Sequence, residues 1–252
     1  MTDPSANRLP VIVNGAKGRM GALAAETVRA SPDLDLVAET DLEDSLLESI
    51  QSTGARVVVD FTHPSCAFEN TRTILEAGAH PVVGTTGFSQ DDIQALQNLA
   101  AERRVGGVIA PNFAIGAVLL MKFAAEAAKY LPDVEVIEMH HNQKADAPSG
   151  TAVKTAELIA EQRGQAQGML VEEKETVDRV RGGQHMGVTV HSVRLPGFVA
   201  HEEVLLGGVG QILSLRHDAI SRESFMPGVV LAARKVVHLE TLVYGLEHVL
   251  EL

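Results

Sequence analysis

Val11-Ile-Val-Asn-Gly15-Ala-Lys-Gly18-Arg-Met-Gly21 is the stretch that decides the fold. A short apolar run enters a turn with glycines at G-x-x-G-x-x-G spacing, and an amphipathic segment follows to about Arg29. That order spells strand, tight turn and helix. Glycines there let the backbone bend sharply, approach a pyrophosphate closely and pack the helix on its sheet. Backbone N–H groups and the helix dipole then hold the phosphates. The spacing departs from the commoner G-x-G-x-x-G, so the loop by itself also describes a turn that binds nothing.

Outward from the loop the same alternation continues. Leu34 to Glu39 reads as a second strand, and Val57-Val-Val59 as a third ending at Asp60. Pro81-Val-Val83 and Val108-Ile-Ala110 read as two more, each preceded by a helical stretch. Ser89 to Arg104 carries helix signals at both ends: Ser89 as N-cap, Asp91 and Asp92 in the first turn, Arg103 and Arg104 in the last. Short, continuously apolar strands separated by helices predict a buried parallel sheet. Glu39 and Asp41 both qualify as the ribose-binding acid about 20 residues past the loop, Asp41 being better placed beyond the strand end. A carboxylate there favours NADH, while Lys17 and Arg19 offer charge for the 2′-phosphate of NADPH. Gly84-Thr85-Thr86-Gly87 and Ala110-Pro111-Asn112-Phe113 follow the fourth and fifth strands, as cofactor-bordering segments or as ordinary connecting turns.

The pattern changes after Asn112. Ala114 to Lys129 reads as an Ala-rich helix, Val134 to Met139 as a strand and Ser149 as the start of another helix. Residues 187–195, 202–206 and 211–217 read as strands with no helices between them, which predicts a second, mixed or largely antiparallel sheet. Ser224 is the expected cap of a final helix whose apolar face packs back on the first domain. The expected class is therefore α/β. Residues 1–112, completed by 221–252, are expected to form a Rossmann-like dinucleotide-binding domain, and residues 113–220 a second, α+β domain.

Composition narrows the function classes. A formal net charge of −12 argues against general binding of nucleic acid or anionic membranes, though not against a small anionic substrate in a local positive pocket. One cysteine, Cys66, excludes an internal disulfide and a thiolate metal cluster built within the chain. No apolar run reaches the roughly 20 residues of a membrane span. The polar stretch Met1 to Pro10 has no apolar signal-peptide core and reads as a disordered lead-in, so the expected location is the cytoplasm.

The most informative segment is Glu138-Met-His140-His141-Asn-Gln-Lys144-Ala-Asp146-Ala-Pro-Ser149-Gly150-Thr151-Ala152. Ser149 caps a helix whose Gly150 and Thr151 N–H groups face outward, an arrangement suited to a carboxylate or phosphate. Lys144 adds a positive charge, and His140 and His141 can exchange protons near neutral pH. Adjacent histidines point in different directions on a strand and no H-x-x-x-H spacing is present, so no metal is expected. Cys66 reads as a small buried helix residue, His63 as a turn or cleft residue without assignment, and His185, His191, His201 and His217 as packing or surface groups. Arg194 and Arg216 are placed to reach an anion or, as alternating strands favour, to form part of a solvated face.

Taken together with Asp60-Phe-Thr-His-Pro64, Val83-Gly-Thr-Thr-Gly-Phe88 and Ala110-Pro-Asn-Phe-Ala-Ile-Gly116, these motifs resemble the dihydrodipicolinate reductase family from about Arg8 to Leu252. The resemblance implies an NADH- or NADPH-dependent reductase, without a metal, acting on a cyclic unsaturated dicarboxylate of lysine and diaminopimelate biosynthesis. Whether a hydroxylated substrate first loses water stays open. It further implies His140 as general acid/base, Lys144 as proton donor and stabiliser of negative charge, and His141, Ser149, Gly150 and Thr151 as substrate-binding residues. Cofactor contacts fall on Gly15, Ala16, Lys17, Gly18, Arg19, Met20, Asp41, Gly84, Thr85, Thr86, Ala110, Pro111, Asn112 and Phe113. Closure of the two domains around both ligands and a homotetramer built through the second sheet are implied as well. The acidic end of the second strand matches the family least well.

Overall fold

A computed structural model describes residues 8–163, 174–178 and 180–250. The expected disordered lead-in lies, up to Asn7, outside the described residues, and Pro10 already belongs to the first strand. The chain forms two compact units, residues 1–115 with 222–252 and residues 116–221.

In the first unit, β1 (Leu9–Asn14), β2 (Leu34–Thr40), β3 (Val57–Asp60), β4 (His80–Val83), β5 (Gly107–Ile109) and β11 (Leu242–Tyr244) make one sheet in the order β11-β5-β4-β3-β1-β2. Every pairing is parallel. Val11, Ile12, Val13, Val57, Val58, Val59, Val82 and Val83 are wholly buried, as a sheet covered on both faces requires. Each of these side chains contributes about 1.5–3 kcal/mol by leaving water. The covering helices are α1 (Arg19–Ala30), α2 (Leu46–Thr53), α3 (Pro64–Glu76), α4 (Gln90–Arg103) and α7 (Met226–Lys235).

Local signals explain where these helices start. Ser89 and Asp92 form a reciprocal capping box on α4. His63, unassigned by sequence, caps α3 by accepting the Ser65 N–H on Nδ1, with Pro64 in the first turn. Three expectations change. Arg104 stands beyond the last turn of α4 in the left-handed region (φ +54°) and serves as its C-cap. Ser224 is not the cap of α7: a 3₁₀ turn at Arg222–Phe225 runs straight into Met226, so Phe225 takes the cap position without a side-chain bond. Cys66 sits in the first turn of α3 half-buried, not buried, its thiol directed at the His63 carbonyl.

In the second unit, β6 (Asp133–His140), β7 (Gly183–His185), β8 (Val188–Arg194), β9 (Ala200–Gly208) and β10 (Gln211–Ala219) form a sheet in the order β10-β9-β6-β8-β7. The sheet is mixed. β6 and β8 run parallel because the chain crosses over through α6 (Gly150–Arg163), whereas the other pairs are antiparallel. One face carries Val134, Val136, Val188, Val190, Val204 and Leu206. It packs against Leu120, Ala124 and Ala128 of α5 (Ile115–Ala128) and Ala152, Ala156 and Ile159 of α6. The opposite face carries Ile137, His191, Leu205 and Ile212, the last 76% exposed.

Candidate active site

In the first unit the strand order reverses at β1, whose neighbours are β2 on one side and β3 on the other. Successive crossovers leave in opposite directions there and open a crevice at the carboxyl ends of the strands. The glycine loop occupies that point. Gly15 has φ +78°, and a Cβ on it would stand 2.6 Å from the Phe61 carbonyl oxygen at the end of β3. A Cβ on Gly21 would stand 2.0 Å from the Gly15 carbonyl oxygen, so only glycine lets α1 lie this close to its own loop. Ala16 is buried, Met20 half-buried, and Lys17, Gly18 and Arg19 are exposed. Gly18 is the N-cap of α1; it gives no side-chain cap, and the first turn holds no acidic residue. An anion is the group that suits such a helix start.

Asp41 lies against this loop. Its Oδ2 accepts the Lys17 N–H at 2.9 Å and its Oδ1 accepts the Leu42 N–H at 2.9 Å. Those two backbone bonds and the nearby Lys17 charge hold its carboxyl below the ordinary carboxylate range. Glu39, the other candidate, is exposed and ion-paired with Arg29 on α1.

The remaining segments of the strand ends are tied together by Asp60, which is wholly buried. Its oxygens accept from Asn14 Nδ2 (2.8 Å), Asn70 Nδ2 (3.0 Å), Thr62 N (3.2 Å), Thr62 Oγ1 (2.8 Å) and Thr85 Oγ1 (2.9 Å). Thr40 Oγ1 donates to Asn14 Oδ1 at 2.8 Å, which joins β2 to the network. Thr85 is buried by this bond, while Gly84 and Thr86 on either side are half-buried and exposed. Ala110 and Phe113 are buried, Pro111 exposed and Asn112 half-buried; Asn112 Oδ1 accepts the Ala114 N–H at 2.8 Å. The Phe113 ring meets the Phe61 ring edge-on at 6.0 Å.

The second unit assembles its chemistry around Glu138. Along β6 the buried face carries Val134, Val136 and then Glu138, a carboxyl with no exposed surface. Arg194, its near neighbour on β8, grips it with both guanidinium arms (Nη1 to Oε2 2.9 Å, Nη2 to Oε1 2.7 Å). His140 Nδ1–H donates to Oε2 at 2.5 Å and the Ser149 N–H to Oε1 at 3.2 Å. Burial pushes the Glu138 carboxyl up, but the bonds from His140, Arg194 and Ser192 and the Arg194 charge outweigh it and bring it down to about 2. The ionised carboxylate therefore fixes the His140 tautomer with Nδ1 protonated, leaving Nε2 for proton exchange.

Ser149 caps α6 by accepting the Ala152 N–H on Oγ at 3.2 Å. Gly150 is exposed in the first turn, with nothing within 4 Å of where a Cβ would lie, and Thr151 is half-buried beside it. His141 is exposed. Lys144 Nζ is held by both oxygens of Asp146 at 2.8 Å, and that bond keeps Asp146 below the ordinary carboxylate range. Arg194 Nη2 also donates to the Asp146 carbonyl at 2.7 Å, pinning the loop that carries Lys144.

The structure thus brings His140, Ser149 and the Lys144 loop to one carboxylate, and corrects one expectation. Arg194 is not on a solvated face; it is the half-buried cation paired with the wholly buried Glu138, because the parallel register of β6 and β8 sets it against His140, two residues beyond Glu138 on the same face. Arg216 does lie exposed, paired with Glu203 and Asp218. Glu138 itself went unassigned by sequence reasoning. Its signal was present: an acid continuing the Val134, Val136 face at a period of two demands a buried partner. Among the described residues no cluster of three or more His, Cys, Asp or Glu side chains is disposed to hold a metal ion. No helix among them is long and apolar enough to cross a membrane.

Residues 9–113 match the family model described as dihydrodipicolinate reductase, N-terminus, and residues 116–250 the one described as dihydrodipicolinate reductase, C-terminus. The chain is 48% identical over 240 residues to 4-hydroxy-tetrahydrodipicolinate reductase of Coxiella burnetii (strain Dugway 5J108-111), covering 95% of this chain and 98% of that one. It is 49% identical over 243 residues to the protein of the same name from Legionella pneumophila (strain Lens), covering 96% and 100%. A solved structure of dipicolinate-bound dihydrodipicolinate reductase from Paenisporosarcina sp. TG-14 superposes with a TM-score of 0.90 at 42% identity, covering 96% of this chain and all of that one. At 16% identity, GenD2 from gentamicin A biosynthesis shares only the fold (TM-score 0.65, 97% of this chain and 90% of that one). With both halves matched in order along nearly the whole length, this chain belongs to the dihydrodipicolinate reductase family of oxidoreductases.

Proposed function

We propose that this protein converts 4-hydroxy-tetrahydrodipicolinate to tetrahydrodipicolinate, with loss of the hydroxyl as one water and uptake of a hydride from NADH or NADPH and a proton, in the cytoplasm as a step of lysine and diaminopimelate biosynthesis. The observation that carries the reading is the ionised Glu138 clasping His140, Arg194 and Ser149 at once, a device that presents one imidazole nitrogen beside a helix start. Family membership supplies the substrate class, a small cyclic dicarboxylate, in keeping with the dipicolinate named for the Paenisporosarcina structure.

Residues 1–112 with 221–252 bind the dinucleotide in this reading, and residues 113–220 bind the substrate. Bound, the reduced nicotinamide supplies the hydride. Gly15, Ala16, Lys17, Gly18, Arg19 and Met20 hold its pyrophosphate on the uncapped start of α1, and Asp41 accepts from the adenosine ribose. Gly84, Thr85, Thr86 and Ala110 to Phe113 border the nicotinamide end. Lys17 and Arg19 stand where they offset a 2′-phosphate against the Asp41 charge, which favours use of both cofactors. Gly150 and Thr151, with Ser149 and His141, seat a substrate carboxylate. His140 exchanges a proton through Nε2. Lys144 trades Asp146 for the substrate, stabilises charge developing on the ring and delivers a proton to the carbon beside the one that accepts hydride. The outer sheet face bearing Ile137, Leu205 and Ile212 suits assembly into a homotetramer, which light scattering tests directly.

The decisive experiment mixes the protein with synthase-generated substrate and each reduced cofactor and follows nicotinamide absorbance. Substrate-dependent oxidation is expected; none with either cofactor refutes the assignment.

A further inference from the structure

The second unit buries another carboxyl that the reaction described above does not use. Glu202 on β9 is 5% exposed and lies directly opposite Glu138 in the antiparallel β6–β9 pair, on the same face of the sheet. The groups facing it are few. β6 contributes Glu138 and His140, β8 contributes Arg194, and β10 sets His217 opposite Glu202 itself. α6 contributes Thr151 and Thr155, and α5 packs here with Leu120 and Ala124 of the apolar core. Arg194 is already committed to Glu138 through both arms. Burial holds His217 below the ordinary imidazole value, so it offers no charge at neutral pH.

The Thr155 hydroxyl then settles where a proton must be. Thr155 Oγ1 lies 3.0 Å from the Thr151 carbonyl oxygen and 2.5 Å from Glu202 Oε1. A hydroxyl has one hydrogen, so Thr155 can give a full, linear hydrogen bond to only one of these two oxygens. The arrangement closes if Glu202 is the donor: its O–H goes to Thr155 Oγ1, and Thr155 donates in turn to Thr151. We propose that Glu202 is a positioning residue that works as the neutral acid, holding the first turn of α6 in its substrate-binding geometry through Thr155 and the Thr151 carbonyl. Burial pushes the Glu202 carboxyl up to about 7 with help from the negative charge of Glu138, outweighing the pull of a Thr155 hydroxyl that would donate to the ionised form. Two facing carboxyls thus divide the work, one ionised beside a cation and one kept neutral. Losing the Glu202 proton turns the Thr155 hydroxyl toward the new carboxylate and away from the Thr151 carbonyl, and adds a second negative charge behind the seat of an anionic substrate.

The inference rests on the reading of Gly150 and Thr151 as that seat, and the test separates the two. KM for substrate and kcat are measured from pH 6 to pH 8 for the unaltered enzyme, Glu202→Gln, Thr155→Val and Lys144→Ala. With the proton lost near pH 7, KM of the unaltered enzyme rises about tenfold between pH 6 and 8 while kcat holds. Glu202→Gln keeps a neutral donor, so its KM stays near the pH 6 value throughout, and its infrared spectrum lacks the protonated-carboxyl band of the parent. Thr155→Val, which breaks the relay while leaving a glutamate at 202, has a raised KM already at pH 6. Superimposable KM profiles for the parent and both variants overturn the role of Glu202. If Lys144→Ala also turns over normally, the substrate seat itself is misplaced; if Lys144→Ala is crippled, only the Glu202 inference falls.

Discussion

Glu138→Gln is the substitution that tests the site most sharply, because it keeps the shape of the side chain and removes only its charge. In the parent, the carboxylate satisfies Arg194, His140 and Ser149 in a place with no exposed surface. Neutralising it leaves the Arg194 guanidinium without its counter-charge, and breaking one side of a buried pair costs roughly 3–5 kcal/mol. Linkage gives a similar figure: a carboxyl brought from the ordinary 4.5 to about 2 contributes about 3 kcal/mol at neutral pH. The sign follows from the depressed value. That contribution is complete above pH 4.5 and is lost as pH falls through 2, so the parent-to-variant gap in urea unfolding is about 1 kcal/mol smaller at pH 4 than at pH 7. Catalysis suffers separately. A glutamine can donate to or accept from Nδ1, the tautomer of His140 is no longer fixed, and kcat falls on the order of 10²-fold or more, while KM for the cofactor is unchanged. A folded Glu138→Gln protein with kcat within threefold of the parent, or with a stability gap that does not shrink on acidification, refutes the reasoning.

The other expectations follow from the same contacts. Arg194→Ala should cost several kcal/mol in urea unfolding, and Arg216→Ala far less, because exposed pairs are screened by water; equal costs contradict the burial argument. Asp41→Ala should raise KM for NADH about tenfold, the worth of a charge-assisted bond to a ribose hydroxyl, and leave KM for NADPH level or lower. An equal rise for both cofactors removes Asp41 from the ribose. Gly15→Ala places a side chain at φ +78° and 2.6 Å from the Phe61 carbonyl, so thermal unfolding should show a loss of about 1–3 kcal/mol together with weakened cofactor binding. Asp60→Asn turns an amide toward donors now paired with oxygen, at about 1–3 kcal/mol for each left unmet, and should raise cofactor KM by loosening Thr85; an unchanged melting temperature would falsify its part in the network.

Much of this molecule was legible along the chain. Strand, glycine turn and helix are local patterns, and the run Val11 to Gly21 specifies them through burial and backbone freedom alone. The same holds for the capping box at Ser89 and Asp92 and for the Ser149 start of α6, whose bonds span three residues. Less legible were pieces that exist only because a neighbour completes them. β11 is three residues long and is a strand because β5 pairs with it, and β7 exists because β8 does. The α7 start misled because Ser224 matches a cap by type, while the 3₁₀ turn before Met226 takes the cap position for Phe225.

The residues of the site divide along the same line. His140, Lys144 and Ser149 to Thr151 stand within a dozen positions of one another, so their types and spacing told of proton exchange and anion binding before any fold was known. Arg194 lies 56 residues from Glu138, and Glu202 lies 47 from Thr155. Nothing local joins them. Only strand register sets Arg194 and Glu202 on either side of Glu138, and it is the cation and donors around Glu138, against the burial of Glu202, that leave one acid ionised and the other neutral. The sequence determined which chemical groups the protein possesses and the order of its elements. The tertiary structure decided which groups share a dry environment, and hence which of them carry charge.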